Sequence, residues 1–243
     1  MIYVNSNPYL MPVRIFVNMT VQPMQPRHAE ALEQLQQIVF PTLAAGERLR
    51  AEHYLRHLEV FPEGQFVLTA TVAAAGRGEE GTVPTARRPR EKELVIGMTT
   101  TMRTDFDLSD HQHSFFETSG GGWLTRHQPA GIWLYGLDMG IHPDHRGRGG
   151  ARLLYRARQL LVRRLGLNGQ LTVGMMNGYG ALSDQLSGEE YYRQWLAGER
   201  DDPTLTRQRS IGFEPLGLIP GYLHDPACGN YGVLLRLDAA SEI

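Results

Sequence analysis

Residues 137–158 read LDMGIHPDHRGRGGARLLYRAR, and their chemistry changes twice along the stretch. Gly131 to Ile141 (GIWLYGLDMGI) is apolar and aromatic enough to form a strand. His142 to Gly150 (HPDHRGRGG) holds a proline and three glycines, which predicts a turn. Ala151 to Leu165 repeats Leu153, Leu154, Ala157, Leu160, Leu161 and Leu165 at helical spacing, so an amphipathic helix is expected there. Arg152, Arg156, Arg158, Arg163 and Arg164 are expected mostly off its apolar face, and Gly166 supplies a glycine stop. Leu171 to Met176 (LTVGMM) is the next strand. Strand, helix and strand within about 45 residues make a right-handed parallel crossover.

The turn has a chemistry of its own. A helix N-terminus leaves about four backbone N–H groups without partners, and the helix dipole places partial positive charge there. Together these suit a phosphate. Gly147, Gly149 and Gly150 remove side chains from its path, and Arg146 and Arg148 add charged donors. Three readings fit: a plain glycine-rich turn, a nucleotide site, or a coenzyme A pyrophosphate site. The dinucleotide fingerprint requires its glycines after the first strand with an acidic residue downstream, and the P-loop requires a Gly-Lys-Ser/Thr ending. Neither pattern is present.

Outward from this unit, Val13 to Val21 and Phe66 to Ala75 read as strands, as does Glu93 to Phe106. Pro26 opens a helical pattern carried by Ala31, Leu32, Leu35, Ile38 and Val39, and a second runs from Glu47 to Leu58 before the turn Phe61-Pro62-Glu63-Gly64. Residues 1–12 form a loose leader. Residues 76–92, rich in Gly, Pro and charge, form a flexible loop in which Arg87, Arg88 and Arg90 are most simply solvated. Asp107 to Gly131 is a long irregular connection placed to lie over a binding site. Short helices at 188–198 and 204–211 and strands at 213–219 and 231–237 complete the chain.

Composition excludes several classes. In 243 residues, 24 Lys plus Arg face 26 Asp plus Glu, so there is no basic footprint for nucleic acid or an anionic membrane surface. No apolar run reaches the ~20 residues that span a bilayer. Residues 1–12 do not read as a signal peptide, and one cysteine, Cys228, allows no internal disulfide. A cytoplasmic protein is expected. His111 and His113 lack a third ligand at a recognisable spacing, so no metal is expected.

The stretch 137–158 resembles the signature of the GNAT acetyltransferase superfamily. In that signature a strand ends in apolar-x-Pro, here Ile141-His142-Pro143. Arg or Gln-x-x-Gly-x-Gly or Ala then opens a helix, with Arg146, Gly149 and Ala151 at the defining positions. The order of elements from Val13 onward matches as well. The resemblance implies one α/β (α+β) domain over 13–243, with a mixed, mostly antiparallel sheet, a central splayed parallel strand pair and flanking helices. It implies acetyl-CoA as co-substrate, with its pyrophosphate on the amides of Arg146, Gly147, Arg148, Gly149, Gly150 and Ala151. Main-chain groups of Met139 and Ile141 would pair with the pantetheine arm, and Asn177 would touch the cofactor. Ile211-Gly212-Phe213 resembles the Gly-Phe that closes the last family helix.

Two departures stand out. Typical members have far fewer residues than the 35 positions from Asn177 to Gly212, and 178–205 reads as an inserted segment. Such a long C-terminal segment, and specifically the run DPTLTRQRSIGF at 202–213, resembles GNAT domains joined to carbon–nitrogen hydrolase domains. Many members also carry a Tyr four residues before the Gly, protonating the departing thiolate. Here Gln208 stands there, and Gln is no general acid.

The implied activity is N-acyl transfer, an acetyl group moving to a small-molecule or protein amine by direct attack in a ternary complex. The alternative is a CoA-binding sensor or interaction module without catalysis. Asp138, three residues before Ile141, is the candidate base, with Glu117, Glu189 and Glu190 behind it. Tyr192 is the candidate acid, ahead of Tyr191, Tyr179 and Tyr222. No nucleic-acid or membrane partner is expected, and a homodimer is allowed.

Overall fold

The computed structural model of the chain describes residues 16–73 and 91–243. The expected leader and the arginines at 87, 88 and 90 lie outside the described residues, as does the expected loop at 76–92 apart from its last two residues. Those two, Glu91 and Lys92, already belong to a strand.

Among the described residues seven strands form one sheet. They are β1 (Phe16–Pro23), β2 (Phe66–Ala73), β3 (Glu91–Thr104), β4 (Trp133–Ile141), β5 (Gly169–Met175), β6 (Glu214–Ile219) and β7 (Gly232–Asp238). Their spatial order is β1-β2-β3-β4-β5-β7-β6. Every neighbouring pair is antiparallel except β4 and β5. The helices are α1 (Ala29–Val39), α2 (Ala51–Val60), α3 (Phe115–Ser119), α4 (Gly150–Leu165), α5 (Gly188–Leu196) and α6 (Leu205–Ile211). α4 links β4 to β5, and such a crossover is what a parallel pair requires.

The alternation of β4 shows how the two layers grip the sheet. Tyr135 and Leu137 share a core with Leu32 and Leu35 of α1 and Tyr54 of α2. Leu134 packs with Leu161 and Val162 of α4, and Ile141 with Leu154 of α4. A strict period of two would put 134 and 141 on opposite faces. A β-bulge resolves this: Thr101 pairs with Gly136 and Thr100 with Asp138, leaving Leu137 as the extra residue. After the bulge, Leu137 and Asp138 both face α1 and α2, while Met139 and Ile141 face α4.

Three local expectations are corrected. α2 begins at Ala51, not Glu47, because the ring Nδ1 of His53 accepts the Arg50 amide at 2.9 Å and caps the helix there. Glu47 instead accepts the His224 amide at 2.7 Å. On α4, Arg158 is fully buried, and Leu160, expected in the apolar face, is 58% exposed. The physical reason is register. Leu154, Arg158, Leu161 and Val162 follow the i, i+4, i+7, i+8 stripe, so position outweighs charge. The Asp107–Gly131 connection is not wholly irregular, since Ser114 caps α3 by accepting the Glu117 amide. No helix among the described residues is long and apolar enough to cross a membrane.

The corrected helix face has a direct consequence. Leu154→Ala should destabilise the fold by about 2–5 kcal/mol, a core truncation. Leu160→Ala should change stability by less than about 0.5 kcal/mol, as an exposed position does. Guanidinium denaturation of the two variants checks the assignment.

Candidate active site

The bulge aims Asp138 at the layer formed by α1 and α2. Its Oδ1 accepts from the Thr100 amide at 2.9 Å and the Thr100 hydroxyl at 2.5 Å. Its Oδ2 accepts from Gln36 Nε2 at 2.7 Å and the Tyr54 hydroxyl at 3.2 Å. Burial raises the carboxyl above its usual range. The Thr100 bonds, the Tyr54 bond and the charge of Arg158 all oppose that rise. Asp138 is therefore a half-buried carboxyl held in one orientation with its proton affinity increased. Gln36, Tyr54 and Thr100 were not singled out from sequence. Gln36 is a polar residue buried on an apolar helix face, but without tertiary contacts it carries no signal.

Beside Asp138 the sheet parts. β4 and β5 pair only from Trp133↔Gly169 to Gly136↔Thr172. β4 then continues to Ile141 on β3, and β5 to Met175 on β7, each with its outer neighbour only. The His142 amide donates to the Ile96 carbonyl at 2.8 Å. By antiparallel alternation, Gly140 then points its main chain toward β3, while Met139 and Ile141 point theirs into the gap. The Ile141 carbonyl agrees, accepting from Arg146 Nε at 3.0 Å.

The turn closes the far end of this gap. Gly147 and Gly149 hold φ of 75° and 82°, and nothing lies within 4 Å of where a Cβ would stand on either. Gly149 is the N-cap of α4 and offers no side-chain cap. The first helical bond is Leu153 N–H to the Gly149 carbonyl at 3.1 Å, so the amides of Gly150, Ala151 and Arg152 precede the ladder. Arg146, Gly147, Arg148 and Gly149 are exposed.

The other candidates divide. Asn177 is exposed just beyond β5 and donates to Thr204 Oγ1 at 2.7 Å. Tyr192 is half-buried, stacks on Trp195 with ring centroids 6.0 Å apart, and has its hydroxyl pKa raised by burial. It packs against an apolar cluster that Met139 and Met175 also border. Tyr191 donates to Asp202 at 2.9 Å, and Tyr222 bonds Tyr135 at 3.2 Å. Tyr179 is buried against Tyr191 and Tyr231. Glu117, Glu189 and Glu190 are held by Ser114, Tyr231 and Arg193. His113 is held between the His111 carbonyl and the Tyr135 hydroxyl. Cys228 is buried, which pushes its thiol up to about 12, far from a reactive thiolate. Gln208 is buried, and its amide donates to the Tyr155 hydroxyl at 2.8 Å.

No family model matches the chain. Over 219 residues it is 29% identical to a protein of Bacillus subtilis (strain 168) named probable hydrolase YhcX, covering 90% of this chain and 38% of YhcX. Over 229 residues it is 26% identical to the uncharacterized N-acetyltransferase YkwB of the same organism, covering 94% of this chain and 92% of YkwB. Among solved structures, the loading GNATL domain of CurA from Lyngbya majuscula superposes with TM-score 0.66 at 20% identity, over 93% of this chain and all of that one. The GphF GNAT-like decarboxylase in complex with isobutyryl-CoA gives 0.65 at 19%, over 90% and 99%. The chain has the GNAT fold. In GNAT terms, the splayed strands are β4 and β5, and Gly212, with φ of 112°, ends the last helix before β6.

The hydrogen bonds on Asp138 favour its charged form, so removing one should raise its proton affinity further. Thr100→Val is expected to move the Asp138 carboxyl titration, followed by carbon-13 NMR, to higher pH. Tyr54→Phe should move it in the same direction.

Proposed function

We propose that the protein is an acyl-CoA-dependent N-acyltransferase that uses acetyl-CoA and transfers the acetyl group directly to an amine. The observation that carries this reading is the junction of three features on one strand. β4 bears a carboxyl at its bulge, an unpaired edge after it, and a glycine turn opening a helix at its end. The GNAT fold supports it, and so does isobutyryl-CoA in the GphF complex, a ligand of that protein.

The roles follow from chemistry. Amides from Arg146 to Ala151 take the pyrophosphate, helped by the helix dipole. The pantetheine arm adds to the free edge of β4 at Met139 and Ile141 as a strand would. Asn177 flanks the same arm across the gap. The thioester carbonyl then lies beside the bulge, where an amide directed into the gap stabilises its developing charge. Asp138 removes a proton from the attacking amine, directly or through water. Tyr192 supplies the proton for the thiolate. The acceptor, a small-molecule or protein amine, enters from the side of α1, α2, the 107–131 connection and the 177–212 segment.

A CoA-binding module without catalysis is the second reading, favoured by Gln208 at the position where many members carry a Tyr. Thiol release across an amine panel separates the two once CoA binding is measured.

Two outcomes test the first reading. Gly149→Glu places a carboxylate at the turn, and CoA affinity by calorimetry should fall about 10- to 100-fold, the loss of a charge-assisted hydrogen bond or more. Unchanged affinity sinks the pyrophosphate assignment. Because burial raises Asp138 above its ordinary 3.8, its base form fills only as pH climbs through the raised value. The pH profile of kcat/KM should therefore rise through that value. Asp138→Asn should lose this limb and about 10²–10⁴ in rate.

A further inference from the structure

Arg158 is the charged residue of α4 that turns inward, and it is 0% exposed. Its guanidinium lies against Gly136. A Cβ on Gly136 would meet Nη2, Nη1 and Cζ at 2.1, 2.3 and 2.4 Å, so only glycine admits the group. Nη2 donates to the Leu171 carbonyl at 3.2 Å. Gly136 pairs with Thr172, the residue after Leu171, at the last rung before β4 and β5 part. The cation therefore sits at the fork itself, in contact with both strands. Among the described residues, its Nε and Nη1 have no hydrogen-bond partner. Asp138, two residues along β4, does not take them, because its oxygens are held by Thr100, Gln36 and Tyr54. Tyr155 offers Arg158 a ring 5.3 Å from Cζ, and its hydroxyl accepts from Gln208.

A buried guanidinium with two idle donors is costly, and an arriving anion recovers that cost. Arg binds carboxylates with a planar fork of donors. We infer that the fork accepts short acyl groups bearing a terminal carboxylate, and holds them more tightly than acetyl, with Arg158 as the carboxylate-binding residue. This rests on the reading of the gap as the thioester site. The length is set by the strand. Only Leu137, the extra residue of the bulge, separates Asp138, beside the thioester carbonyl, from Gly136, and the two pair with adjacent residues of β3, so the carbonyl and the guanidinium are a short distance apart. Malonyl and succinyl groups, with one and two methylenes before the carboxylate, are short chains of this kind.

The test compares malonyl-CoA, succinyl-CoA, acetyl-CoA and butyryl-CoA by calorimetry. Butyryl matches succinyl in carbon count and lacks its charge. The wild-type protein should bind malonyl- or succinyl-CoA at least about tenfold more tightly than butyryl- or acetyl-CoA, one charge-assisted hydrogen bond in excess. Arg158→Gln should abolish the preference while leaving affinity for acetyl-CoA within about threefold, and Arg158→Lys should restore part of it. Should Arg158→Gln fail to fold, the wild-type series decides alone. Binding of all four with no preference for charge overturns the carboxylate assignment and leaves the thioester site standing. Failure of CoA itself to bind overturns both.

Discussion

After Gly136 and Thr172, two strands that began as hydrogen-bonded partners go separate ways, and each keeps only its outer neighbour. Main-chain groups on their inner edges are left to water or to a ligand, since a buried amide or carbonyl without a partner is costly. The bulge at Leu137 helps the separation, because bulges bend and twist the strand that carries them. β3 and β7 hold the strands from outside, so the gap is a built feature rather than a frayed end. In the proposed chemistry every participant is placed with respect to it: the turn at its far end, Asp138 on one rim, Arg158 at its root.

The bulge also decides which side chain meets which layer. Without the extra residue, Asp138 would share a face with Leu134 and Gly136 and point toward α4. With it, the carboxyl points toward Gln36 and Tyr54. The sheet thus carries a carboxylate on one face and a guanidinium at the fork on the other, with no ion pair between them. Each raises the other's preference for its charged form, against burial, which acts the opposite way on both. Burial pushes Arg158 down to about 10, so it remains a cation at neutral pH. A polar arrangement of this kind contributes little net stability; its value lies in fixed orientation.

The segment between β5 and α6 is organised by a single carboxylate. Asp202 accepts the Gly178 amide and the Tyr191 hydroxyl through Oδ2, and the Thr204 and Leu205 amides through Oδ1. This ties α5, which carries Tyr192, to the end of β5. The same contacts explain why Tyr191, adjacent in sequence, is occupied while Tyr192 is the more available phenol.

Much was legible in the sequence because it rests on local rules. Periodicity and turn residues located the strands and the longer helices to within a few positions, and glycines with arginines at a helix start marked the turn that the proposed function gives to the pyrophosphate. Asp138 was singled out by its place three residues before Ile141 on the strand that leads into that turn. What was not legible depends on registers between distant segments. The bulge exists only in the pairing of β3 with β4, and the loss of pairing after Thr172 only in that of β4 with β5. The burial of Arg158 needs a glycine 22 positions earlier to make room, and nothing local distinguishes it from the exposed arginines of the same helix. Local sequence determined the elements and the turn, because backbone conformation answers to near neighbours. Tertiary structure alone decided which polar groups were taken out of water and against what, because desolvation is a property of packing.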